Sequence, residues 1–190
     1  MIIRENCSLA DRNTFGMNVK ADCLADWSSV EELRSILTDI KEPVLVMGGG
    51  SNLLFMSDFK GTVLHSSIST IDVLSDDSDR VRVQVGAGVV WDDFVAWCSV
   101  NGYWGVENLS LIPGEVGACA VQNIGAYGVE AKDVIETVQT ISLDNGKARD
   151  FSNAECRYAY RQSIFKNELN GQYAVTYVQF RLSRIPQPRL

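Results

Sequence analysis

The stretch Val44-Leu45-Val46-Met47-Gly48-Gly49-Gly50-Ser51-Asn52 decides how the rest of the chain is read. Four apolar residues in a row, directly after Pro43, predict a short buried strand. The three glycines that follow permit positive φ and remove every β-carbon. Consecutive backbone N–H groups in such a turn can form a nest for an anion, most usefully a diphosphate, and Ser51 and Asn52 add side-chain donors. The turn is not a Walker loop, because no GK[ST] follows. It is not a Rossmann fingerprint either, because the GxGxxG spacing and a following helix are both lacking. A plain tight turn is the other reading of the glycines in isolation.

Working outward, Ser28-Ser29-Val30-Glu31-Glu32 reads as a capping box, and Val30, Leu33, Ile36, Leu37 and Ile40 recur at helical spacing up to Pro43. Downstream, Thr62-Val63-Leu64 predicts a strand and Asp76-Asp77-Ser78-Asp79 an acidic turn. Residues 80–85 alternate, with Val81, Val83 and Val85 on one face, as in a half-solvated strand. Residues 91–101 carry a helical pattern with Trp91, Phe94, Val95 and Cys98 inward. Residues 138–151 read as a hairpin around Asp144-Asn145-Gly146, residues 154–158 as a short helix, and residues 173–182 as a strand. Arg184-Ile185-Pro186-Gln187-Pro188 cannot pair inside a sheet and reads as a linker. The whole is mixed α+β rather than a doubly wound parallel sheet, with a lobe boundary near residues 66–70.

The chain has 190 residues, enough for one sizeable domain or two lobes sharing a core. Its net charge of -7 argues against a broad nucleic-acid surface, and no apolar run approaches the roughly 20 residues that cross a bilayer. The N-terminus turns polar too early for a secretory signal. Five scattered cysteines and a lone histidine, His65, exclude a disulfide framework or a structural zinc site and fit a reducing cytosol. No metal ligands are grouped.

Two further segments carry chemistry. Residues 107–128 hold glycines at 114, 117, 125 and 128 among small residues, with Gln122 and Asn123 amid apolar neighbours. Such a segment cannot be one ordinary helix or strand, and its backbone must closely approach another backbone or a flat ligand. Residues 156–166 cluster two arginines, two tyrosines and a lysine, which suits a carboxylate or an enolate-like charge, or else a solvated basic surface.

Asn13-Thr14-Phe15-Gly16, GGGSN at 48–52, ENLSLIPG at 107–114, QNIGAYGVE at 122–130 and CRYAYRQSIFK at 156–166 occur in this order. Together they resemble the UDP-N-acetylenolpyruvoylglucosamine reductase family, and the resemblance covers essentially the whole chain. It implies a two-lobed α+β FAD-binding fold of the vanillyl-alcohol oxidase and p-cresol methylhydroxylase type. It also implies noncovalent FAD, NADPH as hydride donor and a UDP-sugar enolpyruvyl ether as substrate. Residues 1–67 would form the first FAD-binding lobe, 68–183 the second, and 184–190 the start of a linker to a substrate domain beyond this chain. The cofactor would be held by Met47, Gly48, Gly49, Gly50, Ser51 and Asn52 at the pyrophosphate. Ile112, Pro113, Gly114, Gly117, Ala118, Val121, Gly125, Ala126 and Tyr127 would run along the flavin and ribityl chain. Arg161 matches the arginine that stabilises enolate charge, and Tyr160 beside it would shape the substrate site. A monomeric cytoplasmic enzyme of peptidoglycan precursor synthesis is implied, without nucleic-acid or membrane partners.

Two departures from the family pattern stand out. Ala118 and Cys119 occupy positions where hydroxyl-bearing residues are common, so a side-chain hydrogen bond to the cofactor would be lost or taken over by backbone. The chain also stops before the domain that supplies the proton donor, so a trimmed piece of a longer protein, inactive alone, is the expectation. A non-catalytic flavin- or nucleotide-binding module is the alternative.

Overall fold

The computed structural model describes residues 1–186, so Gln187 and Pro188 of the expected linker lie outside the described residues. The first sheet contains β1 (Ile2–Ser8), β2 (Lys20–Trp27), β3 (Val44–Met47) and β4 (Phe59–Ser66), with α1 (Val30–Ile36) between β2 and β3. Its order is β1-β2-β4-β3; β2 and β3 run parallel to β4, and β1 pairs antiparallel with β2. The helix begins where the capping signal lies: Ser29 Oγ accepts the Glu32 N–H at 3.1 Å. The Glu32 carboxylate returns its bond to the Ser28 N–H, at 2.7 Å, rather than to Ser29.

Two expectations in this region are corrected. The helix does not run to Pro43; residues 37–40 leave it as turns, although Leu37 and Ile40 still pack on the same apolar cluster. The strand β3 is not buried along its length. It lies at the edge of the sheet, one flank is open, and only Met47 of its residues is buried.

The second sheet comprises β5 (Ile71–Asp76) and β6 (Arg80–Gly86), followed after the helices α2 (Trp91–Val100) and α3 (Val116–Gln122) and the small ribbon β7 (Gly125–Ala126) and β8 (Val129–Glu130) by β9 (Ile135–Ser142), β10 (Ala148–Ser152) and β11 (Tyr173–Ser183). It is antiparallel throughout, in the order β10-β9-β11-β6-β5. Val81, Val83 and Val85 are buried, as the alternation predicts, and so are Trp91, Phe94, Val95 and Cys98 of α2. Phe94 anchors that face, its ring centroid 5.6 Å from Trp91 and 4.8 Å from Phe180. The predicted helix over 154–158 is replaced by turns; Arg157 at φ 47° takes the left-handed conformation that ends a helix.

The strand β4 ends at Ser66 and β5 begins at Ile71. The cores do not separate there. Ala25, Trp27 and Leu64 of the first sheet pack in one cluster with Ile68 and with Ile141 and Ala174 of the second.

Candidate functional site

The site forms where the turn after β3, the start of α3 and the loop around Arg161 meet. Ser51 Oγ donates to the Pro113 carbonyl at 3.2 Å. Asn52 Nδ2 donates to Gln122 Oε1 at 2.9 Å, and the same oxygen accepts from the Arg161 guanidinium at 3.3 Å. Three segments separated by up to 110 positions are thus tied by direct hydrogen bonds. Between them lies a cleft of about 130 Å³, lined by Ser51, Asn52, Ile112, Pro113, Gly114, Ala118, Cys119, Gln122 and Arg161, with Trp91, Glu115 and Ile124 completing its wall.

The turn fits an anion. The N–H groups of Gly49, Gly50, Ser51 and Asn52 donate to no oxygen among the described residues, so a run of consecutive donors stays available. The turn is held from behind. A β-carbon on Gly50, at φ +66°, would lie 2.0 Å from the Arg12 carbonyl oxygen, so the backbones touch here and only glycine fits. Thr14 N–H donates to the Gly50 carbonyl at 3.4 Å. Asn13 fixes that neighbouring loop by donating to the Leu9 carbonyl at 2.7 Å and accepting the Met17 N–H at 2.9 Å. This gives the Asn13–Gly16 motif a physical role as the bed of the glycine turn.

The remaining predicted residues spread around this centre. Met47 is buried in the core of the first sheet, where it anchors the turn from within. A β-carbon on Gly48 would meet Glu115 Oε2 and Ala118 Cβ, each at 3.2 Å, so the turn abuts α3. Gly117 faces away from the cleft, against Ala87, whose β-carbon would lie 2.8 Å from an added one. Val121 packs on the core and its carbonyl accepts Ser163 Oγ–H at 2.6 Å. Gly125 and Ala126 form β7, while Tyr127 and Tyr160 are exposed side chains. Backbone strain concentrates in the same region: among the described residues, five of the six non-glycine residues at positive φ (Leu111, Asn123, Tyr127, Arg157 and Arg161) fall in the two chemistry-bearing segments. Left-handed non-glycine backbone of this kind clusters at ligand clamps and active sites. Burial drives the Cys119 thiol well above its usual range, so it stays neutral and unreactive.

Sequence reasoning missed an ionic cluster behind the turn. His65, on β4, places Nδ1 2.7 Å from Asp26 Oδ1 and Nε2 3.0 Å from Glu115 Oε1. Arg12 bonds both oxygens of Asp26, at 3.2 and 3.1 Å, and Arg4 reaches Asp26 Oδ2 at 3.1 Å. Burial lowers the His65 pKa, but the bonds and charges of Glu115 and Asp26 outweigh it, so the net direction is upward. The available signal was a lone histidine inside a strand whose neighbours Val63, Leu64 and Ser66 are buried.

Two sheets with a phosphate-type turn at their junction define a cofactor-binding domain of the flavoprotein kind. Residues 21–152 match the FAD binding domain family, and the chain belongs to that family. The chain is 52% identical over 184 residues to the UDP-N-acetylenolpyruvoylglucosamine reductase of Bacteroides fragilis (strain YCH46), covering 96% of this chain and 55% of the relative. The solved UDP-N-acetylenolpyruvylglucosamine reductase of Thermus caldophilus matches with a TM-score of 0.80 at 28% identity, over 99% of this chain and 65% of that one. A VAO-type flavoprotein of Myceliophthora thermophila C1 shares the fold at 16% identity, with a TM-score of 0.60 over 88% of this chain and 32% of that chain. So does p-cresol methylhydroxylase at 15% identity, with a TM-score of 0.57 over 90% and 37% of the respective chains. The fold implied by the motifs is the fold observed. The chain spans about 55% of the length of the curated relatives it matches.

Proposed function

We propose that this chain is the FAD-holding part of an NADPH-driven reductase. Its substrate would be the enolpyruvyl ether of UDP-N-acetylglucosamine and its product UDP-N-acetylmuramate. The observation that supports this most is the convergence of Asn52, Gln122 and Arg161 on one cleft beside a turn with free N–H donors. Bound noncovalently, FAD would supply two-electron chemistry, passing hydride from NADPH to the enolpyruvyl double bond, and a proton would complete the lactyl ether.

The chain's own residues have separable tasks in this reading. Gly49 to Asn52 hold the diphosphate through backbone N–H groups, and the backbone from Ile112 to Ala118 borders the flavin. Arg161 pairs with the substrate carboxylate and steadies enolate charge as it develops. Gln122 orients Arg161 by accepting its N–H, and Tyr160 borders the substrate's approach. A net charge of -7 disfavours nucleic acid, and no helix among the described residues is long and apolar enough to cross a membrane. A cytoplasmic monomer acting on small molecules is the setting we propose, with the lobes divided near residue 67.

Titration with FAD, followed by the flavin's visible band, tests the binding claim; failure to bind would sink it. In a protein extended to the relatives' length, NADPH should bleach the band and the UDP-sugar should restore it. A band that NADPH never bleaches would favour a non-catalytic flavin module. Arg161→Ala there should keep the flavin yet lower turnover on the order of 10²–10³-fold. Parallel loss of flavin and turnover would refute the role given to Arg161.

A further inference from the structure

The cluster behind the glycine turn poses an electrostatic problem. Glu115 brings its carboxylate against the turn: a β-carbon on Gly48 would lie 3.2 Å from Oε2, and one on Gly49 3.6 Å from Oε1. A carboxylate at that distance opposes a diphosphate. The side chain is only 12% exposed, so water screens it poorly, and its hydrogen-bond partner is His65 Nε2 at 3.0 Å. His65 is equally enclosed, with Nδ1 against Asp26.

A neutral imidazole ring carries one N–H, so it can satisfy one carboxylate while turning a lone pair on the other. Both ring nitrogens of His65 face carboxylate oxygens at hydrogen-bond distance, which favours a second proton on the ring, while Arg12 Nη1, 3.2 Å from Nδ1, competes by offering a donor to the Nδ1 lone pair. With that proton the groups that face His65 are balanced in favour of an anion. Arg4 on β1 and Arg12 on the turn before β2 offset Asp26, and the imidazolium offsets Glu115. Without it, the two arginines only cancel the two carboxylates, and Glu115 has no cationic partner of its own among the described residues beside the diphosphate turn.

We propose that His65 is a positioning residue whose proton, shared with Glu115, licenses diphosphate binding at the Gly49–Asn52 turn and so couples cofactor affinity to pH. The inference rests on the FAD reading above. By linkage, FAD and this proton stabilise each other on the chain.

FAD affinity of the wild-type chain, measured from pH 6 to 9 by fluorescence and calorimetry, tests it. Once His65 loses its proton, affinity should fall by up to about tenfold per pH unit, and binding should take up a proton from the buffer. Glu115→Gln removes the carboxylate charge, and its affinity should stay level across the range. His65→Gln donates to Glu115 without a charge and should bind more weakly than wild type at pH 6, again without a pH slope. Thermal melts of each variant confirm folding. A flat wild-type profile, or a slope that survives in folded Glu115→Gln, would overturn the proposal. An absence of FAD binding by folded wild type at every pH would instead overturn the FAD reading on which it rests.

Discussion

Gly117 and Gly128 look alike in the sequence but are glycine for different reasons. At Gly117 an added β-carbon would lie 2.8 Å from that of Ala87 and 3.2 Å from its carbonyl oxygen, so Gly117→Ala should cost ~1–3 kcal/mol through overpacking. Gly128, at φ +75° with nothing within 4 Å, should lose only the ~1 kcal/mol of the left-handed backbone on conversion to alanine. Urea denaturation of the two variants separates these causes. At His65 the sign of the pH effect follows from its raised pKa: the native state binds the proton more tightly than the unfolded one. The stabilisation is full below the unfolded value of 6.5 and is lost as pH rises through the higher native value. The wild-type melting temperature should therefore decline above pH 6.5 more than that of His65→Gln. None of this was legible beforehand, because Asp26 and Glu115 lie 39 and 50 positions from His65 and share no local pattern with it. Arg161 and Asn52 were legible only through the family resemblance, since their residue types left a solvated basic surface and a plain tight turn open; the structure brings both to Gln122 Oε1.

Among the elements, α2 was readable because Trp91, Phe94, Val95 and Cys98 make a single buried stripe. Phe94 is fully buried between Trp91 and Phe180, so Phe94→Ala should cost ~3–5 kcal/mol, measured as a shift in the denaturation midpoint. The strands β1 and β5 escaped notice for the converse reason. Both lie at sheet edges with mostly uncovered side chains, so neither alternates in polarity. The helix α3 was hidden in the glycine-rich stretch. Its helicity comes from packing of Val116, Cys119 and Ala120 in the core rather than from propensity. The over-long reading of α1 has a related origin: Leu37 and Ile40 are needed by the core, and turns deliver them as well as a helix would.

For the whole molecule, the cluster that unites Trp27 and Leu64 with Ile141 and Ala174 couples the two sheets. The chain should melt in one cooperative transition, with circular dichroism and tryptophan fluorescence coincident; two separated transitions would contradict a shared core. FAD at about a hundred times its dissociation constant should add ~2.7 kcal/mol to that stability. The α+β character and the order of the chemical segments were visible in the chain, whereas the parallel pairing of β2 and β3 to β4 was not, since register across a crossover leaves no local mark. The contact between Gly50 and the Arg12 carbonyl carries a practical consequence. Residues 1–12 carry the edge strand β1 and the carbonyl of Arg12, the mould in which the anion-gripping bend is cast. Clipping them should weaken the fold as a whole and leave its grip on a dinucleotide slack.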